Sequence, residues 1–232
     1  MAQQRPGHFF DQDLAKSYDA RNRALSSISE CMHFLIRLVL NGLPARARIL
    51  SVGVGTGAEV LSLAKAYPEW TFVAVDPSQP MLDVCRERLE AAGFSERCEL
   101  LHGQVEDVPP GETFDAAVSV LVGHFVPRTE RQAFYENMVQ RLVPNGTLVC
   151  TEISYDLESP AFPAMLRDWE QVQSLMGGTP ESLAKLPEVL KSTLTVLPGA
   201  EVESLLRRSG IETPVCFFQA FMIAGWHGTR RG

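Results

Sequence analysis

No stretch of about 18 apolar residues, the length a helix needs to cross a bilayer, occurs in this sequence. Its densest apolar run, Cys31 to Leu43, is broken by His33, Arg37 and Asn41. No membrane span is expected. Met1 to His8 has no apolar stretch of the kind a secretory leader carries. Cysteine is sparse as well. The five residues (Cys31, Cys85, Cys98, Cys150, Cys216) are widely spaced, odd in number and free of any C-x-x-C pair. That excludes a disulfide framework and gives no zinc pattern. Most of them are expected to be buried free thiols, and a reducing cytoplasm is the simplest setting. The histidines show no ligand spacing, so no metal is expected. Positive charge is in deficit, with 21 Lys and Arg against 28 Asp and Glu for a net charge of −7. A phosphate backbone finds no broad attraction there, and no nucleic-acid partner is expected.

What remains is an ordinary globular composition, 45% hydrophobic over 232 residues. That length suits one sizeable core and is short for two domains. From Arg48 to Ser154 short β-rich runs alternate with helical patterns. Arg48–Gly53, Thr71–Val75, Glu99–His102, Phe114–Leu121 and Thr147–Ile153 read as strands. Between them lie a helix from Gly57 to Ala66, a stripe of Met81, Leu82, Cys85 and Leu89 ending at Gly93, and a third helix. That third helix is expected to be capped by Thr129, with a stripe of Phe134, Met138 and Leu142. Pro144-Asn145-Gly146 reads as a turn. Such alternation implies right-handed crossovers and a parallel sheet covered on both faces. Phe9–Leu43 predicts two preceding helices, and 155–198 a helical insertion. Ala200–Arg208 predicts a last helix. Val215–Trp226 is too long for one ordinary strand and reads as a strand pair or a long edge strand. One domain is expected: a cap over 1–45, a core over 46–154, the insertion over 155–198 and a C-terminal unit over 199–232.

The sharpest motif is Ser51-Val52-Gly53-Val54-Gly55-Thr56-Gly57. Glycines closing a first strand let the backbone turn tightly and approach a ligand, and the next helix aims its amides at that ligand. Asp76 closes the second strand, where a carboxylate can accept hydrogen bonds from ribose hydroxyls. Loop and acid together point to a nucleoside cofactor. The loop satisfies both a Gly-x-Gly-x-x-Ala and a Gly-x-Gly-x-Gly pattern, so by itself it does not name that cofactor.

Several ordered segments do. Arg48–Ala58 looks like the first motif of the class I S-adenosylmethionine-dependent methyltransferases. Val75–Leu82 is similar to the second, Gly103–Pro109 to the segment that frames adenine, Phe114–Phe125 to the fourth strand and its loop, and Leu142–Val149 to the approach to the fifth strand. The resemblance implies a Rossmann-like α/β fold with a seven-stranded, mostly parallel sheet and an antiparallel last strand. It implies S-adenosylmethionine as cofactor and S-adenosylhomocysteine as product. The implied cofactor contacts are Ser51, Gly53, Gly55, Gly57, Asp76, Pro77, Met81, Gln104, Val105 and Leu121. Ser51 departs from the family, which usually has an acid there to help hold the cofactor's amino-acid end. Gln104 replaces an Asp, and its oxygen can still accept from an adenine amine. The layout also resembles carboxy-S-adenosylmethionine synthase. Leu205 falls where an ungapped alignment puts that synthase's carboxylate-holding arginine, so plain methyl transfer is preferred.

His124 is the expected general base, since it follows the fourth strand at the ligand-binding edge and titrates near neutrality. Phe9, Phe10, Tyr18, Glu152, Tyr155, Trp169 and Phe217 are the expected substrate contacts, several forming an aromatic wall. The N-terminal helices and 155–198 are expected to act as a lid. A nicotinamide dehydrogenase is disfavoured by the lack of a Tyr-x-x-x-Lys pair, and a nucleic-acid methyltransferase by Val122-Gly123-His124-Phe125 where a base-flipping stretch would stand. A small-molecule acceptor fits best. A non-catalytic cofactor-binding protein is the other alternative, and a homodimer is allowed for.

Overall fold

The computed structural model describes residues 12–232. Seven strands form one sheet in the order β3-β2-β1-β4-β5-β7-β6. They are β1 (Arg48–Val52), β2 (Thr71–Asp76), β3 (Cys98–His102), β4 (Phe114–Val120), β5 (Leu142–Ile153), β6 (Val215–Ala220) and β7 (Ile223–Thr229). The first five run parallel, and β7 lies antiparallel between β5 and β6. The helices are α1 (Gln12–Asn22), α2 (Ser26–Leu40), α3 (Ala58–Ala66), α4 (Gln79–Ala92), α5 (Arg131–Gln140), α6 (Phe162–Leu175), α7 (Pro180–Ala184), α8 (Leu186–Glu188) and α9 (Gly199–Arg208). None is long and apolar enough to cross a membrane among the described residues.

The strands alternate their side chains between two hydrophobic layers, as a period of two requires. Ile49, Phe72, Ala74, Ala116, Val118 and Val149 face α2, α3, α4 and α6. Leu50, Val52, Val73, Val75, Ala117 and Leu148 face α5 and α9. Burial on both faces explains why these strands read as unbroken apolar runs.

Three local expectations need correction. Thr129 does not cap α5; Glu130 takes that position without a side-chain cap bond. Leu142 belongs to β5 rather than to the helix stripe, pairing with Phe114. Pro144-Asn145-Gly146 lies inside β5, where Asn145 takes a left-handed φ of 63° and the register against β4 shifts. Pro144 offers no N–H to the ladder, so the chain bulges there and stays in the sheet. The C-terminal run is a strand pair, turning at Phe221.

Between α5 and the sheet lies a buried ionic cluster. Arg131 is 0% exposed, as is Glu152. The Arg131 guanidinium donates to a Glu152 carboxylate oxygen from Nη1, and to the carbonyls of Val126 (3.2 Å) and Thr195 (2.9 Å) from Nη2. Tyr135 Oη donates to the other Glu152 oxygen. Burial raises the Glu152 pKa and the Arg131 charge opposes that rise.

Removing one partner of such a pair strands the other charge in a low dielectric. Arg131→Met is therefore expected to cost about 3–5 kcal/mol of unfolding free energy, and Arg131→Met with Glu152→Met much less. Urea denaturation measures both. A loss below about 1 kcal/mol for the single variant, the size of a surface pair, would refute a structural role for the cluster.

Candidate functional site

The chain winds outward from β1 through β2 to β3, then returns to β4 on the other side of β1. Ligands in open α/β sheets bind at the carboxyl ends of strands where the order reverses. Here that point lies between Gly53 and Leu121.

After β1 the backbone passes through positive φ at Gly53, Gly55 and Gly57. A Cβ on Gly53 would overlap the Val122 side chain, so the loops after β1 and β4 touch only because this residue is glycine. At Gly55 the same construction meets nothing within 4 Å, which leaves the backbone open to a ligand. Asp76 fixes this loop. Its Oδ2 accepts from the Gly55 amide and its Oδ1 from the Ser78 amide, both at 2.8 Å. Burial raises the Asp76 pKa while these amides hold it down. One lone pair of each oxygen is left for a ribose hydroxyl.

A cavity of about 330 Å³ opens on this loop, lined by Gly53, Val54, Gly55 and Glu59 and closed from α1 and α2 by Tyr18, Asn22 and His33. Asp19 of α1 ties the closure down. Its Oδ1 accepts from Thr56 Oγ1 at 2.8 Å, and its Oδ2 lies 2.8 Å from Arg88 Nη1. Arg88 in turn donates to the Thr56 carbonyl at 2.9 Å. An open backbone cradle, a carboxylate at the end of β2 and polar groups at the far end fit an adenosyl amino-acid cofactor.

A second cavity of about 290 Å³ adjoins the first and is mostly apolar, lined by Leu25, Phe125, Ile153, Trp169, Met176 and Ile223. Tyr18, Asn22 and Leu121 line both cavities. Leu121 stands at φ 58°, a strained value for a leucine, its amide donating to the Thr151 carbonyl at 2.8 Å. Arg21 and Gln173 also line the second cavity.

His124 lines the apolar cavity and is buried. Its Nδ1 accepts the Ile153 amide at 3.2 Å, so the neutral ring carries its proton on Nε2. Burial, and then the Arg131 charge, push its pKa down to about 3. This corrects the expectation of a general base. One lone pair is engaged by the backbone, and the remaining nitrogen is a donor.

Trp169 and Tyr18 line the second cavity. Glu152 does not reach it; its carboxylate is held by Arg131 and Tyr135, and a Cβ on Gly123 would lie 2.7 Å from Glu152 Oε1. It supports the turn that carries His124 from below. Tyr155 packs on Phe162 with ring centroids 6.3 Å apart. Phe217 packs over Gly225 and edge-on to His227. Neither lines the two cavities. Phe9 and Phe10 lie outside the described residues.

Among the implied cofactor contacts, Gly53, Gly55 and Leu121 line the first cavity. Pro77 and Met81 follow β2 and Gln104 and Val105 follow β3, and none of the four lines that cavity. Gln104 caps the short helical turn Val105–Asp107. A Cβ on Gly57 would meet Cys85 Sγ at 2.6 Å, so Gly57 serves packing. Ser51 is buried and donates from Oγ to Glu59 Oε1 at 2.7 Å. Sequence reasoning missed Glu59, Arg21 and the Asp19 tether. Only Glu59 left a sign, as a lone acid within the apolar stripe of α3.

A family model described as a methyltransferase domain matches residues 49–146. A carboxy-S-adenosyl-L-methionine synthase of Klebsiella pneumoniae is 23% identical over 219 residues, which cover 91% of this chain and 87% of that protein. An O-methyltransferase family protein of Burkholderia thailandensis is similar in structure with a TM-score of 0.66 at 16% identity, over 92% of this chain and 59% of its own. An O-methyltransferase family 2 protein of Planctomyces limnophilus, solved with apigenin, gives a TM-score of 0.63 at 18% identity, over 96% and 62%. The chain therefore spans about three-fifths of those two solved chains, and the likeness to them is one of fold.

A depressed histidine pKa has a definite sign in stability. The unfolded chain takes up a proton near pH 6.5, which the folded chain refuses until about pH 3. Stability is intact above about pH 6.5 and falls as the pH drops. Melting temperatures against pH should show this limb, made shallower by His124→Gln. His33, pushed down to about 4 by burial, leaves a residual slope. Nitrogen-15 spectra should show the His124 Nε2–H form down to about pH 5; a protonated ring at pH 6 would contradict the geometry.

Proposed function

We propose that this chain, which belongs to the class I S-adenosylmethionine-dependent methyltransferases, methylates a small and largely apolar acceptor. The observation that carries the reading is the meeting of two unlike cavities along Tyr18, Asn22 and Leu121. One has a glycine-loop wall and polar groups, and the other is walled by Trp169, Phe125 and aliphatic side chains. When bound, S-adenosylmethionine supplies an electrophilic sulfonium methyl.

The chain's own residues do the positioning. Asp76 holds the ribose and the glycine loop together. Leu121 lines both cavities and stands where they meet. The apolar wall excludes water and presents the acceptor in line, an arrangement worth about 7–11 kcal/mol of barrier at its best. His124 donates from Nε2 to an acceptor oxygen and fixes its direction. Arg21 offers a positive charge to an anionic group on the acceptor. The aromatic wall also suits a sulfonium through cation–π attraction. The apigenin-bound protein of similar fold supports an aromatic acceptor. Helix α1 and residues 155–198 serve as the lid. The cysteines are unpaired, which suits a cytoplasmic setting, although only Cys85 and Cys150 are buried, fewer than expected, with Cys31 and Cys216 exposed.

A second reading is synthesis of carboxy-S-adenosylmethionine, favoured by similarity along most of the chain to the Klebsiella protein. Leu205, which an ungapped alignment sets against this reading, is buried on α9 in the apolar layer behind the sheet and lines neither cavity, so it does not decide between the two. A binding protein without turnover is the third reading, motivated by Ser51.

Calorimetry with S-adenosylmethionine, S-adenosylhomocysteine and NAD separates these. Both adenosyl-sulfur ligands are expected to bind and NAD is not; tight NAD binding alone would sink the proposal. Asp76→Ala should weaken S-adenosylhomocysteine by about 10- to 100-fold, the worth of charge-assisted hydrogen bonds. With an aromatic hydroxyl acceptor, Trp169→Ala should raise KM, whereas His124→Phe should lower kcat about 10- to 100-fold. Mass spectrometry of co-purified ligand tests the carboxylated alternative. Binding without turnover over a broad acceptor panel would favour the third.

A further inference from the structure

Three carboxylates stand at or beside the glycine-loop cavity, and two are already engaged. Asp76 accepts two backbone amides. Asp19 is paired with Arg88 and Thr56. Glu59 is different. It sits in the first turn of α3, is only 6% exposed and lines the cavity. Its side-chain partner is the neutral Ser51 hydroxyl, and no cation stands within ion-pair distance among the described residues. A buried carboxylate without a countercharge is costly and is expected to have one supplied.

We infer that Glu59 is the binding site for the positively charged ammonium of the cofactor's amino-acid end, with Ser51 as the hydroxyl that orients it. The site is complementary to a zwitterion. Arg23 lines the same cavity, makes no ion pair among the described residues, and is placed to take the ligand's carboxylate. The acid that β1 lacks at Ser51 is thus delivered from α3, through a 2.7 Å hydrogen bond to that same residue.

Burial raises the Glu59 carboxyl to about 7, against the pull of Ser51 and its own amide. The other groups that act on it electrostatically are Tyr18 of α1, Asp76 of β2, Cys98 of β3, and Cys85 and Arg88 of α4. At neutral pH the free site is therefore partly protonated. An incoming ammonium favours the ionised form, so binding releases a proton.

The inference rests on the cofactor reading above, and a pair of ligands separates the two. S-adenosylhomocysteine carries the amino-acid end, whereas methylthioadenosine lacks it. Wild type is expected to bind both, and Glu59→Gln to lose about 10- to 100-fold toward S-adenosylhomocysteine alone. Calorimetry near pH 7 in buffers of different ionisation heat should show about half a proton released with S-adenosylhomocysteine, given a Glu59 pKa of about 7. Methylthioadenosine should release none. This measurement uses wild type, so it stands even if the variant folds poorly. Equal losses for both ligands, no loss, or no proton release would overturn the role of Glu59 while leaving the cofactor reading intact. Failure of wild type to bind either ligand would overturn both.

Discussion

The side of the molecule that carries the apolar cavity depends on one buried charge. Arg131 is fully buried, so its guanidinium draws its partners from the protein, one from five residues back and two from far along the chain, while Nε has none among the described residues. Glu152 of β5, the carbonyl of Val126 and the carbonyl of Thr195 converge on it. The last is part of the insertion, whose Thr195 amide also donates to the His124 carbonyl at 2.7 Å. The turn carrying His124 is thereby held between the sheet and the insertion. Loss of one partner would leave the others buried and unpaired, so the cluster couples these segments.

The glycine-loop side is organised instead by a carboxylate acting on backbone amides. Asp76 draws in the amides of Gly55 and Ser78, and the absent side chain of Gly53 lets Val122 come close. That contact, with Leu121 in its left-handed conformation, is where the two halves communicate. A change in the loop after β1 is felt directly by the loop after β4, through packing over a few ångströms.

The alternating elements, the glycine loop and Asp76 were legible in the sequence because periodicity and glycine placement are local signals. The strand pair at the C-terminus was legible as one of two alternatives. What escaped was decided by partners far along the chain. Pro144-Asn145-Gly146 has the composition of a turn, and only pairing of Leu142 with Phe114 keeps it in the sheet. Glu152 looks like an end-of-strand acid until Arg131 and Tyr135 enclose it. His124 has the pKa of a base in isolation, and loses that role to the Ile153 amide and to burial. Glu59 needed Ser51 opposite it before its meaning was visible.

Helix α1 buries a single residue, Ala15, and is secured to the core through Asp19, Thr56 and Arg88. Its anchors lie 37 and 69 positions further along the chain, counting from residue 19 to 56 and to 88. During synthesis this helix leaves the ribosome before any strand exists, and its seat is not built until β1, β2 and α4 have formed. The polar seat of this helix is thus complete only once the glycine loop and α4 are in place. A nascent chain must complete the glycine loop before it can roof the cavity above it.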